Sequence, residues 1–418
     1  MEVASTSQRP SGRRALWAWA LYDVGNSAFA TTVMAGFFPL FFKRYWSADA
    51  DVSRSTFHLG LATSVASLIV ALTAPVLGAI ADKGHARKRS LLAFALLGSG
   101  ATAALCLVAK GAWLTAAIVY ATAMVGFAGS LVFYDSLLLA VAAPEQTDRA
   151  SALGYALGYL GGGCLFALNT LMTLKPGLFG LASPAQGVRA SFPLVALWWI
   201  AFTLPLLRNV PEPRADVVVP AREAIASGLR QLRSTLRRVS TLRPVWTFLL
   251  AYWLYIDGVD TVIAMAMDFG LSLKLDQSSL IIALLVTQFV GFPAALAFGR
   301  LGGIISGKRA VLLGICVYIG VTLYAYRMRT ATEFFALAVT IGLVQGGVQS
   351  LSRALYSRLI PEAEAGEFFG FYNMLAKFAA ILGPALMGVV SLWTHDPHTS
   401  ILSLAVLLAG GGTLLWFV

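Results

Sequence analysis

Four aspartates sit inside stretches that are otherwise apolar: Asp23 between Trp17 and Phe42, Asp135 within 112–142, and Asp257 and Asp260 within 244–268. A carboxylate in the middle of a membrane-spanning helix costs about 2.5–3.5 kcal/mol, so such a residue faces a partner or a water-filled cavity. Asp23 and Asn26 are three apart and project from one helix face. Asp257 and Asp260 fall within a single turn, and repulsion between two like charges that close favours proton coupling. Gln345, Gln349, Arg353 and Tyr356 follow in steps of four, four and three, which places all of them on one helix face. Tyr22, Tyr134, Tyr252 and Tyr255 lie beside the acids and offer both ring surface and a hydroxyl. The carboxylates could bind the cationic group of a small solute or carry a proton, while Arg353 or Lys377 neutralises a carboxylate. A zwitterion such as an amino acid needs both signs. The competing reading is structural, with the aspartates hydrogen-bonded to neighbouring helices or paired with Lys377.

Other chemistry finds little support. The chain has no G-x-x-x-x-G-K-S/T loop for a nucleotide, no H-E-x-x-H zinc pattern and no G-x-S-x-G nucleophile turn, so an ATP-driven pump and a hydrolase are disfavoured and no cofactor is expected. Cys106, Cys164 and Cys316 each lie in an apolar stretch and share no close spacing, which points to neither a disulfide framework nor a metal cluster. His395-Asp396-Pro397-His398 is a weak metal-like pattern, and no metal is expected there.

Of the 418 residues, 58% are hydrophobic and 12% charged, about half the charged share of a soluble domain. The expected fold class is an all-α membrane protein. Apolar runs at roughly 15–42, 57–80, 91–109, 112–142, 150–173 and 188–207 make six spans, and 244–268, 278–299, 310–326, 332–358, 366–393 and 399–418 make six more. The first run is too long for a cleaved signal peptide and reads as a retained span. The expected organisation is a cytoplasmic tail over 1–14, a six-helix bundle over 15–207, a linker over 208–243 and a second six-helix bundle over 244–418.

The net charge of +11 would suggest nucleic acid in a soluble chain, but here the basic residues sit in short loops between spans. With the N-terminus inside, 21 of the 31 lysines and arginines fall on the cytoplasmic side and 9 on the other, so both termini are expected in the cytoplasm of a plasma membrane, the inner one in a bacterium. In the linker, Ile225, Leu229, Leu232, Leu236 and Val239 recur at helical spacing among five arginines, which suits an amphipathic helix on anionic headgroups. Gly154, Gly158, Gly161, Gly162 and Gly163 give the fifth span a small-residue face for close helix contact. The halves also echo each other: Asp23-Val24-Gly25-Asn26 against Asp257-Gly258-Val259-Asp260, Arg89 against Arg309, and Pro144-Glu145 against Pro361-Glu362, at offsets of 234, 220 and 217. Such offsets fit duplicated six-helix units with loops of unequal length.

Two sets of motifs carry a resemblance. The loop from Gly78 to Arg89, with Asp82, Lys83, Gly84, Arg87 and Lys88, resembles the G-x-x-x-D-R/K-x-G-R-R/K signature of the major facilitator superfamily, lengthened here by one residue at His85-Ala86. The resemblance implies a gating loop built from Gly78, Asp82, Gly84, Arg87, Lys88 and Arg89. Tyr22-Asp23-Val24-Gly25-Asn26-Ser27-Ala28 is similar to the Y-D-x-x-N-S-A opening of the vacuolar effluxer-like branch, the autophagy-related amino-acid effluxers, although Val24 stands where that branch commonly has tryptophan. Gln345-Gly346-Gly347-Val348-Gln349-Ser350-Leu351-Ser352-Arg353 and the block from Glu367 to Asn373, with Lys377-Phe378 and Gly383-Pro384, agree with it. That resemblance implies twelve transmembrane helices in two pseudo-symmetric bundles, with the first, fourth, seventh and tenth lining a central cavity. It also implies a secondary active transporter working by alternating access, most simply an amino-acid effluxer, with small solute, protons and bilayer as its partners. The candidate substrate or proton residues are then Tyr22, Asp23, Asn26, Tyr134, Asp135, Tyr255, Asp257, Asp260, Gln345, Gln349, Arg353 and Lys377. A lipid or lysophospholipid carrier, a sugar or peptide permease and a membrane enzyme stand as alternatives.

Overall fold

A computed structural model describes residues 12–47, 58, 65–70, 72–74, 87–212, 242–272, 277–394 and 397–418. In chain order the helices are α1 (Arg13–Trp46), α2 (Val65–Ala74), α3 (Arg87–Leu107), α4 (Trp113–Val141), α5 (Pro144–Leu174) and α6 (Pro184–Asn209). There follow α7 (Arg243–Ser272), α8 (Gln277–Ile305), α9 (Gly307–Ala325), α10 (Ala331–Leu359), α11 (Ala365–Thr394) and α12 (Pro397–Trp416). Each expected span has a helix in its place. Among the described residues no strand occurs, and nine of these helices are long and apolar enough to cross a membrane. The linker helix expected over Ile225 to Val239 lies outside the described residues.

Local chemistry accounts for the ends and the breaks. α10 opens on a capping box, with the Thr330 hydroxyl accepting from the Glu333 N–H and the Glu333 carboxylate accepting from the Thr330 N–H. α6 starts on Ser183, whose hydroxyl accepts from the Gln186 N–H, and Pro184 follows where its missing N–H costs nothing. α1 widens to π-helix over Phe29–Phe37 and Phe42–Trp46, on either side of Pro39, which has no N–H to give the helical ladder. α4 is interrupted at Leu137, directly after Asp135-Ser136, where the Ser136 hydroxyl bonds the Phe133 carbonyl at 2.8 Å and competes with the backbone.

The packing repeats with the sequence. In the first half α1 packs on α5 and α6, and α3 packs on α4 and α6; in the second, α7 packs on α11 and α12, and α9 on α10 and α12. Adding six to every number in the first set yields the second. The two halves bury separate apolar cores, one around Trp19, Phe38, Trp46 and Trp199 and the other around Phe248, Tyr318, Tyr356 and Phe369. Large apolar side chains such as Leu197, Ile304 and Val406 lie outside instead, each at least 70% exposed. A water-soluble fold would bury them; a helix turned to lipid presents them. Between the halves α5 packs on α8 and α10, and α4 packs on α11. Gly154, Gly158, Gly161 and Gly162 lie directly against α1: a Cβ at Gly161 would overlap Val24, and one at Gly162 would stand 2.9 Å from the Thr31 hydroxyl. Gly163 turns the other way, toward Gln288 of α8. The small-residue face of α5 is therefore a packing face, as its composition suggests.

Candidate functional site

Three of the charged residues that the sequence singles out, Asp23, Asp135 and Arg353, converge where the halves meet, near the end of the molecule at which α1, α5 and α11 begin and α4 and α10 finish. Arg353 comes from the last turns of α10 and is 2% exposed. Its Nη1 donates to Asp135 Oδ1 at 3.0 Å, its Nε to the Ser151 hydroxyl at 2.8 Å and its Nη2 to the Ser151 carbonyl at 3.1 Å. Asp23 Oδ2 lies 3.8 Å from Nη2. Three rings surround the guanidinium, with Cζ 4.5 Å from the Tyr155 centroid, 5.0 Å from Trp19 and 5.3 Å from Tyr134. Cation–π contacts contribute about 2 kcal/mol or more when water is excluded.

The carboxylates are held from elsewhere too. Tyr134 donates its hydroxyl to Asp23 Oδ2 at 2.7 Å, and Asn373 of α11 donates its amide to Asp135 Oδ2 at 3.0 Å. Trp19 stacks on Tyr134 with centroids 4.5 Å apart and gives its indole N–H to the Tyr134 carbonyl at 2.9 Å. Gly154 faces this cluster, since a Cβ there would stand 2.7 Å from Asp23 Oδ2 and 2.8 Å from the Tyr134 hydroxyl. A second ion pair, Arg358 Nη1 to Asp148 Oδ1 at 2.9 Å, joins α10 to α5 one turn nearer the end of the molecule. Two charged clamps thus join the halves on this face.

Other candidates occupy different positions. Tyr22 packs at a tilt against Tyr134, with centroids 5.0 Å apart, and accepts the Trp199 indole N–H at 3.2 Å, behind the cluster. Asn26 is buried one turn further along α1, with the Ser27 hydroxyl 3.5 Å from its Oδ1. Gln349 accepts from the Tyr159 hydroxyl at 3.2 Å, another link between α10 and α5. Tyr255 and Ser352 share a hydrogen bond of 2.6 Å between their hydroxyls inside the second half. Asp257 is fully buried away from the cluster; its Oδ1 accepts the Gly383 N–H at 2.8 Å and the Thr261 hydroxyl at 3.3 Å, joining α7 to α11. Asp260 is half-buried one turn along. Gln345 lines a narrow cavity of about 110 Å³ in the second half, together with Ile263, Phe269, Leu284, Gln288 and Leu337. The side chain of Lys377, and Gly78, Asp82 and Gly84, lie outside the described residues. Of the remaining loop residues, Arg87 is buried and donates to the Ser136 carbonyl at 3.4 Å, Lys88 Nζ donates to the Val210 carbonyl at 2.7 Å, and Arg89 is exposed. These bonds hold the start of α3 to α4 and α6 within the first half.

Sequence reasoning missed Trp19, Ser151, Tyr155, Asn373 and the Asp148–Arg358 pair. Trp19 does lie one turn before Asp23, and Tyr155 one turn after Ser151, spacings that share a helix face.

Two six-helix halves built by repetition, surfaced for lipid and clamped through buried charges at one end, are the fold of a major facilitator transporter. The chain belongs to the family described as vacuole effluxer Atg22 like, whose pattern it matches over residues 11–418. It is 36% identical over 403 residues to the uncharacterized MFS-type transporter YxiO of Bacillus subtilis, covering 96% of this chain and 94% of that one. Autophagy-related protein 22-2 of Emericella nidulans is 23% identical, covering 98% of this chain and 91% of that one. In solved structures the fold recurs in the human organic anion transporter MFSD10, with a TM-score of 0.75 at 16% identity, covering 97% of this chain and 100% of that one. It recurs also in the transporter FucP in the outward conformation, with a TM-score of 0.70 at 12% identity and 97% of each chain covered.

Proposed function

We propose that the protein is a secondary active transporter that moves an amino acid out of the compartment it faces by alternating access, with protons as the coupling ion. The observation that carries this reading is the position of the Asp23–Arg353–Asp135 cluster. Its members come from both halves, so it is complete only while the halves are joined at this face. Parting them there would bare charges of both signs beside the path, and these are the groups a zwitterion needs. Unpaired charges in a buried site cost several kcal/mol, so the parted state requires water, cargo or protons to satisfy them. A proton on Asp23 or Asp135 would relieve one such charge.

The placement of basic residues supports an orientation with the clamped face and both termini on the cytoplasmic side of the plasma membrane, in which the described conformation is closed to the cytoplasm. Arg87 and Lys88 fix the start of α3, and the loop that leads into it, with Arg89, acts in gating. The apolar cavity of the second half favours one other reading, a lipid or lysophospholipid carrier, because it offers mostly hydrocarbon surface.

Uptake and counterflow of labelled amino acids in proteoliposomes, with and without an imposed pH gradient, test the proposal on wild type and Asp23→Asn. Saturable movement of one amino-acid class, dependent on the gradient and lost in the variant, is expected. A folded protein that moves none of them contradicts the amino-acid assignment, and movement of a labelled lysophospholipid in its place supports the second reading.

A further inference from the structure

The groups that hold the Arg353 guanidinium share an origin. Trp19 and Asp23 come from α1, Tyr134 and Asp135 from α4, and Ser151 and Tyr155 from α5, all in the first half, whereas Arg353 comes from the second. Asn373, on the same side as Arg353, bonds Asp135 and not the guanidinium. Arg353 is therefore a guest in a pocket that the other half supplies.

That pocket is held together without its guest. Trp19 lies flat on Tyr134, with an interplanar angle of 9°, and is fixed by its N–H on the Tyr134 carbonyl, while the Tyr134 hydroxyl holds Asp23. The bare face of Gly154 keeps room beside Asp23 and the Tyr134 hydroxyl, where a Cβ would intrude and would also stand 3.1 Å from Arg353 Nη2. When the halves part at this face and Arg353 withdraws, the rings of Trp19, Tyr134 and Tyr155 and two carboxylates remain on the first half. Ring faces attract a desolvated cation, and a planar guanidinium matches a carboxylate fork best.

We propose that this aromatic and acidic box is the recognition site for the cationic end of the cargo, that the cargo is a guanidino or other basic amino compound, and that Arg353 is its built-in competitor. The inference rests on the carrier reading above and narrows its cargo class. Cargo and Arg353 exclude each other from one box, so a cation entering at this face holds the clamp open until it passes from the box into the space between the halves, and Arg353 then closes behind it. Closure therefore resets the site without an additional latch. The second carboxylate of the box explains how the α-ammonium group or a proton is accommodated beside the guanidinium.

Arginine and citrulline separate charge from shape, since they differ in a guanidinium against a neutral urea. Binding of each label to the purified full-length protein in nanodiscs is measured for wild type, Arg353→Ala, Arg353→Lys, Arg353→Ala with Trp19→Leu, and Arg353→Ala with Asp135→Asn. The expected result is arginine binding at least tenfold tighter in Arg353→Ala than in wild type, a smaller gain in Arg353→Lys, loss of the gain in both double variants, and no gain for citrulline. If Arg353→Ala does not keep its helical content and monodispersity, the same comparison is read from Arg353→Lys, alone and with Trp19→Leu. Equal gains for arginine and citrulline, or no gain for either in a folded variant, overturn the proposal. Wild-type counterflow separates its failure from that of the carrier reading. If neutral amino acids move while arginine neither moves nor inhibits, the box assignment falls and the carrier stands. If no amino acid moves yet Arg353→Ala gains arginine binding, the box stands and the amino-acid carrier falls.

Discussion

Arg353 makes three hydrogen bonds, two ion pairs and three ring contacts, so its removal leaves two buried carboxylates without their cation. Breaking a buried pair from one side costs about 3–5 kcal/mol, most of it for the charge left behind. Arg353→Met should therefore destabilise the protein by roughly that amount, and adding Asp135→Asn should recover part of the loss by removing a stranded charge. Thermal unfolding of the single and double variants in one detergent checks this; a double variant no more stable than Arg353→Met alone would contradict it. The same arithmetic explains what was legible. Asp23, Asp135 and Arg353 stand out in a sequence because charge is expensive in hydrocarbon, and they do meet in space. Ser151, Tyr155 and Asn373 cost little inside an apolar helix, so nothing in their type marked them. Asp257 was equally conspicuous, yet it lies apart and joins α7 to α11, because burial cost identifies a residue that needs partners without saying which.

At the scale of elements, α1 and α5 approach as closely as they do because α5 turns glycines toward α1. Gly154→Val should force the two helices apart beside Asp23, costing about 1–3 kcal/mol by overpacking and weakening transport more than stability. Gly177→Ala is the control, since nothing lies within 4 Å of a Cβ there, and it should leave the unfolding temperature and the transport rate unchanged. Equal effects from the two substitutions would contradict the account. Helix positions and the glycine face were readable because apolar runs of this length have one outcome in a bilayer. The breaks were not. The π-helical widening around Pro39 and the interruption at Leu137 depend on single backbone donors and on the Ser136 hydroxyl, which a hydropathy pattern averages away.

At the scale of the molecule, the repetition seen weakly in three short sequence matches is plain in the packing, where the contacts of α1 with α5 and α6 and of α3 with α4 and α6 recur six helices later. Composition and periodicity define single helices, and they carry no register between α10 and α5; for that reason the Asp148–Arg358 clamp was invisible until both ends were placed. Its place outside the Arg353 cluster suggests an order of opening, the outer pair parting first. Arg358, with its side chain 27% exposed, can exchange its partner for water while Asp148 stays buried, so Arg358→Gln should cost about 1–3 kcal/mol of stability, less than Arg353→Met. It should nonetheless increase labelling of Ser151→Cys, a swap that leaves both ion pairs in place, and unchanged labelling would count against that order.

The measurement closest to the central claim fixes this face shut. In a variant with Cys106, Cys164 and Cys316 replaced by serine, Asp148→Cys and Arg358→Cys place one thiol on each half. Counterflow of the labelled amino-acid panel in proteoliposomes is then compared before and after a short bifunctional thiol reagent joins them, and again with a reagent whose link a reductant cleaves. The account predicts movement in the free protein, none in the joined protein, and recovery on cleavage. Undiminished movement with the halves joined would contradict a carrier that works by parting them here.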